Sequence, residues 1–165
     1  MPLNLPDGAS CFLDANILYY HFVDTPPFSD SCSDLLDRIA AGVITGFTST
    51  SMIAEAVHKI MLAEAAARFG LSRMGLVNWL QKHRDRIREL SHFRDACAEL
   101  GSMGLQLLST DTALLLMAAD ASRRWGLLTN DATVVALILR HGLTNLATND
   151  DDFNGVAGLT IWQPR

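Results

Sequence analysis

Cysteine is scarce and poorly placed for chemistry. Cys11, Cys32 and Cys97 form an odd set, 21 and 65 positions apart, with no C-x-x-C pair. Neither a disulfide framework nor a zinc knuckle is indicated, and a reducing cytoplasm is the expected setting. No apolar run approaches the roughly 18 residues of a spanning helix. The stretch Met1 to Ser10 has neither a basic start nor a following apolar segment, which speaks against export and against a membrane. The five histidines, His21, His58, His83, His92 and His141, show no metal-ligand spacing, so none is assigned to catalysis. Positive charge is outweighed too: 13 Lys and Arg against 18 Asp and Glu leave a formal charge of −5. That is the wrong sign for holding nucleic acid on a general basic surface. It does not exclude phosphodiester chemistry, because carboxylates gathered around divalent ions invert the local field.

What is present describes one domain of 165 residues, 49% apolar and 19% charged. At 18.0 kDa, surface scaling buries roughly 69% of the chain's surface, enough for a core without a covalent staple. Strands alternate with helices, so an α/β fold is expected. Ser10 to Asp14 reads as a buried strand and Ser29 to Ala41 as a helix closed by Gly42. Val43 to Ser49 reads as a second strand, followed by a helix capped at Ser51 and ended by Gly70. Leu71 to Leu100 reads as helical, with a split near Ser91, inside a helical insertion of about residues 63–105. The remainder is read as strand 105–109, helix 111–125, strand 127–129, helix 132–141 and strands 145–148 and 159–162. Connections this short favour a largely parallel sheet with helices on both faces.

The acids follow that pattern. Leu127-Leu-Thr-Asn-Asp131 and Leu146-Ala-Thr-Asn-Asp150 are nearly the same pentamer, 19 residues apart, and Phe12-Leu-Asp14 also brings an apolar strand up to an Asp. Ligands of open parallel sheets sit beyond the carboxyl ends of strands, so the three aspartates are expected to converge. Asp152, two residues past Asp150, would turn to the same side of an extended chain. Glu55 lies one position past the capping-box place for a helix capped at Ser51, which leaves it free for another task. Other readings stand beside these: Asp131 suits a helix N-cap, Asp150 to Asp152 a solvated turn, and Glu55 an exposed helix acid. Asp14 fits them least, because an unpaired carboxylate at the end of a buried strand is costly. Several oxygen ligands with no thiol or imidazole nearby select hard ions such as Mg²⁺ or Mn²⁺. One or two such ions can activate water and stabilise an in-line phosphodiester displacement.

Phe12-Leu-Asp-Ala-Asn-Ile17, Ser51-Met-Ile-Ala-Glu55, Leu128-Thr-Asn-Asp-Ala132 and Ala147-Thr-Asn-Asp-Asp-Asp-Phe153 together resemble the PIN-domain nucleases, with the VapC-like toxins as the nearest branch. The resemblance runs over about residues 11–164 and keeps all four acidic motifs in order. It implies a three-layer α/β/α PIN-like fold and Mg²⁺- or Mn²⁺-dependent endoribonuclease activity. Asp14, Glu55, Asp131 and Asp150 match the acidic metal-site positions, and Asp152 matches a common extra acid. Asn16 and Asn149 match polar neighbours of the site, and Ser49 the strand-end hydroxyl before the Glu helix. The family's usual partners are an RNA substrate, a small antitoxin and a second copy in a homodimer.

The chain departs from compact members between Ala63 and Leu105. There Lys82-His-Arg-Asp-Arg-Ile-Arg88 could touch RNA phosphates, although a solvated outer helix face explains such a run as well. Trp79, Trp125 and Trp162 are expected in the core or an interface. Two rivals remain. A haloacid-dehalogenase-type phosphatase would use a strand-end Asp, but Asp14-Ala-Asn16 lacks the second acid of D-x-D. A non-catalytic RNA- or protein-binding module would keep the scaffold with an idle site.

Overall fold

A computed structural model describes all of residues 1–165. Five strands, β1 (Ser10–Leu13), β2 (Thr45–Ser49), β3 (Gln106–Leu108), β4 (Asn145–Ala147) and β5 (Thr160–Trp162), form one sheet in the order β3-β2-β1-β4-β5. Every pairing is parallel. Eight helices accompany it: α1 (Ala15–Phe22), α2 (Ser29–Ala40), α3 (Thr50–Phe69), α4 (Leu76–Lys82), α5 (Arg84–Ile87), α6 (His92–Leu100), α7 (Thr112–Trp125) and α8 (Thr129–Arg140). The architecture is three-layer α/β/α. None of the helices is long and apolar enough to cross a membrane.

The strand order fixes where a site can form. From β1 the chain steps outward through β2 to β3, then returns past β1 to β4. Right-handed crossovers put helices of the outward steps on one face and those of the return on the other. The order therefore reverses at β1, and a crevice opens beyond the carboxyl ends of β1 and β4. Phe12 pairs with Leu146 and Leu13 with Ala147, so Asp14 and Thr148 leave the sheet side by side.

The main core holds Phe12, Leu13, Ile17, Leu18, Leu35, Leu36, Leu146 and Phe153 among its buried residues. Gly46 in β2 permits the close approach of α2, since a Cβ there would stand 2.6 Å from the Ile39 Cδ1. Gly70 ends α3 in the left-handed conformation, its N–H bonded to the Ala66 carbonyl. The helices between α3 and β3 pack around a separate small cluster of Ala65, Leu76, Leu80 and Leu90 against the far half of α3.

Several sequence expectations need correction. Leu127 to Thr129 is not a strand: Leu128 is extended, but Thr129 already begins α8, three residues before the expected start. The sheet position next to β1 is taken by β4. The cap of α3 is Ser49, whose Oγ accepts from the Met52 N–H at 3.3 Å; Ser51 is already helical and shares a 2.8 Å hydrogen bond with the Ser49 hydroxyl. The segment after Gly70 is three short helices rather than one split near Ser91, beginning only at Leu76 after the left-handed Gly75, with a further break at His83. The helix α1 is absent from the sequence reading. Its Ile17, Tyr19, Tyr20 and Phe22 have modest helix propensity, and packing on α2 and α3 decides their conformation.

Candidate functional site

The crevice beyond β1 and β4 is built on Asp14. It follows the last residue of β1 and caps α1, and its Oδ1 accepts from the Ala15 N–H at 2.6 Å. The other oxygen, Oδ2, accepts from the Thr148 hydroxyl and from the Asn16 side-chain amide, both at 2.7 Å. Asn16 in turn accepts the Asn149 backbone N–H at 3.1 Å, while the Asn149 amide donates to the Tyr20 hydroxyl at 3.1 Å. The Thr148 Oγ1 accepts from the Asp150 N–H at 3.0 Å. A carboxylate held on both oxygens thus joins β1, α1 and the end of β4. Burial pushes the Asp14 carboxyl upward; the Thr148 and Ala15 hydrogen bonds and the charge of Lys59 oppose this, and Glu55 adds to it.

Asp131 completes the acidic wall from the opposite face. It is neither a strand end nor an N-cap. The cap position of α8 is Leu128, which makes no side-chain capping bond, and Asp131 lies in the helix's first turn, where the dipole favours a carboxylate. Its pKa is pushed up to about 6, first by burial and then by the charges of Asp150, Asp14, Asp152 and Glu55. All five sequence-selected acids therefore share one electrostatic neighbourhood. The near-identical pentamers reach it differently, one through a helix start and one through a strand end.

The remaining residues occupy distinct places. Glu55, on the second turn of α3, is ion-paired to Lys59 at 2.8 Å. Asp151–Gly155 forms a 3-10 turn, not an extended segment, and the Asp150 Oδ1 accepts from the Asp152 N–H at 3.0 Å. This turn leaves Asp152 exposed at the rim. Ser49 is buried and engaged as the α3 cap. Thr148 escaped the sequence reading although it stands in the Thr-Asn-Asp motif, and so did Lys59, for which spacing four from Glu55 is the available signal. Away from the crevice, Arg86 of the basic run is paired with Glu89 at 2.9 Å and lies over the Phe69 ring. Trp79 stacks on His83 and Trp162 is buried.

The donors suit a hard divalent ion in kind: all are oxygens, and the neighbourhood carries five acids against Lys59. In the present side-chain arrangement, no three His, Cys, Asp or Glu side chains stand close enough together to hold a metal ion. Glu55 is held by Lys59 instead.

Comparison with known proteins agrees with this architecture. The family model described as PIN domain matches residues 11–159. A comparison with curated sequences finds no significant match. Among solved structures, the chain is similar to one from the crystal structure of VapBC2 from Rickettsia felis bound to a DNA fragment from their promoter. The TM-score is 0.55 at 16% identity, covering 94% of this chain and 99% of that one. A toxin-antitoxin complex from Klebsiella pneumoniae gives 0.54 at 16% identity, covering 91% and 95%. PAE2754 from Pyrobaculum aerophilum gives 0.53 at 17%, covering 93% and 91%. At these identities the structures speak for the fold, while the family model spans four of the five strands and all four acidic motifs. The chain belongs to the PIN domain family.

Proposed function

We propose that the protein is a Mg²⁺- or Mn²⁺-dependent endoribonuclease acting as the toxin of a toxin-antitoxin pair in the cytoplasm. The observation that carries this reading is the convergence of Asp14, Glu55, Asp150 and Asp152 around Asp131 at the switch point of the sheet. Mutual repulsion of this kind is relieved by a bound cation. Asp14, Asp131 and Glu55 would hold the principal ion, with Asp150 and Asp152 recruiting a second. When bound, the ion supplies the charge that activates the attacking water and stabilises the displaced oxygen.

The chain's own groups prepare that step. Thr148 and Asn16 aim the Asp14 carboxylate by fixing Oδ2, and the Ala15 N–H fixes Oδ1. Asn149 and Tyr20 brace the strand end that carries Asp150. Ser49 acts through the cap that orients α3 and thereby Glu55. No side-chain nucleophile is required.

The partners follow the same reading. Two similar structures are described as VapBC2 and as a toxin-antitoxin complex, which supports an antitoxin for this chain. Exposed Leu115, Leu116 and Met117 on α7, with Leu139 on α8, offer apolar surface that a second copy would cover in a homodimer.

End-labelled RNA incubated with the protein in Mg²⁺, in Mn²⁺ and in EDTA tests the activity, with Asp14→Asn alongside. Cleavage that needs the ion and vanishes in the variant is expected. A folded wild-type protein that cuts in no condition would favour a non-catalytic binding module.

A further inference from the structure

The acids of the crevice are unequally served by counter-charge. Asp14, Asp131, Asp150 and Asp152 have no ion-pair partner; among the site acids Glu55 alone has one, Lys59, with Nζ 2.8 Å from Oε1. A Glu followed four residues later by Lys is an ordinary helix-surface pair. Its placement makes this one different. Lys59 also acts through space on Asp14, the carboxylate at the base of the crevice, and Glu55 contributes to the repulsion at both Asp14 and Asp131. The ammonium therefore sits within the field that a divalent ion would enter.

We propose that Lys59 is an exchangeable counter-cation of the acid site, holding Glu55 in the metal-free protein and giving it up when a divalent ion binds. The proposal rests on the metal-dependent reading above. Glu55 cannot serve both cations with the same oxygen without bringing two positive charges together, so the two compete for it. The exchange requires no unpacking: the side chains of Lys59 and Glu55 are 42% and 36% exposed, and a lysine stem of four carbons can swing clear. Lys59 thus steadies the crowded crevice in the metal-free protein and raises the ion concentration at which the site fills.

Calorimetric titration with Mn²⁺, without RNA, of wild type, Lys59→Met and Lys59→Arg tests this. Lys59→Met is expected to bind Mn²⁺ about two- to fivefold more tightly, the range set by a partly exposed ion pair, whereas Lys59→Arg keeps wild-type affinity. Thermal melts add a second readout. Lys59→Met should melt below wild type in EDTA, and the gap should close in saturating Mn²⁺; a plain surface pair would leave the same gap in both. Unchanged or weaker Mn²⁺ binding in Lys59→Met, with wild type binding normally, would overturn the role of Lys59 alone. Absence of Mn²⁺ binding by wild type would overturn the metal-dependent reading and this inference with it.

Discussion

Asp14 has two tasks that substitution can separate. Its Oδ1 caps α1 and its charge faces the crevice. Asparagine caps as well as aspartate does, but its amide nitrogen cannot accept from Asn16 in the place of Oδ2. Asp14→Asn is therefore expected to stay folded with about 1 kcal/mol lost, while cleavage falls by at least about 100-fold, the scale for loss of a group that stabilises developing charge. Asp14→Ala loses the cap too and should cost about 1 kcal/mol more; equal midpoints for the two variants would show that the cap contributes nothing. Asp131 is predicted to behave in the opposite sense. Its carboxylate is opposed by burial and by four other acids, so Asp131→Asn should stabilise the metal-free protein while abolishing turnover. After allowance for solvent screening of a part-exposed group, about 1 kcal/mol remains, or about 2–4 °C in a domain of this size. A melt in EDTA that shows no gain would contradict it. The sequence exposed these acids because a carboxylate ending an apolar run has few uses. It hid Thr148 because a threonine leaving a strand is unremarkable until Asp14 is seen beside it.

Among the elements, the antiparallel pair α7 and α8 carries a lock visible only in three dimensions. Asp111 caps α7 by accepting from the Leu114 N–H at 2.8 Å, and Arg140, in the last turn of α8, grips both its oxygens at 2.8 Å. The guanidinium holds the Asp111 carboxyl well below its ordinary value of 3.8. A folded-state pKa that is depressed means the unfolded chain binds more protons, so the contribution is full above that ordinary value and is lost as pH falls below it. Melting temperatures of wild type and Arg140→Gln are therefore expected to differ at neutral pH and to converge toward pH 2; a pH-independent difference would refute the linkage. The sequence reading placed Asp111 as the first residue of the helix rather than as its cap, and residue spacing says nothing of a partner 29 positions on. Strand identity was legible for all five strands because apolar runs bounded by Gly, Asn and Asp leave few choices. The false sixth strand, Leu127 to Thr129, arose because two leucines before Thr-Asn-Asp copy the end of β4. The sheet's order gives the place beside β1 to β4, and the chain is already helical from Thr129. The helix α1 was missed for the complementary reason, its aromatic residues being held in a helix by contacts with distant elements.

At the scale of the molecule, the acidic balance and the proposed chemistry are one problem. Two bound divalent ions would bring the formal charge from −5 to about −1, and most of that relief falls in the crevice, where the parallel sheet delivers acids from β1, α3, α8 and the end of β4 together. A ligand that binds only the folded state stabilises it by mass action, by about 2.7 kcal/mol at a hundred times its dissociation constant. For a domain of this size that is a rise of about 5–10 °C in melting temperature. The expected result is a melting temperature that climbs steadily with the logarithm of Mg²⁺ concentration once the site begins to fill. Salt alone also softens repulsion between exposed carboxylates, so the titration is run at constant ionic strength with NaCl as the balancing salt. Asp14→Asn should lose most of the Mg²⁺ response while keeping the small response to NaCl. If wild type shows no rise at constant ionic strength, or if the variant rises equally, the acids are a charged surface rather than an ion site.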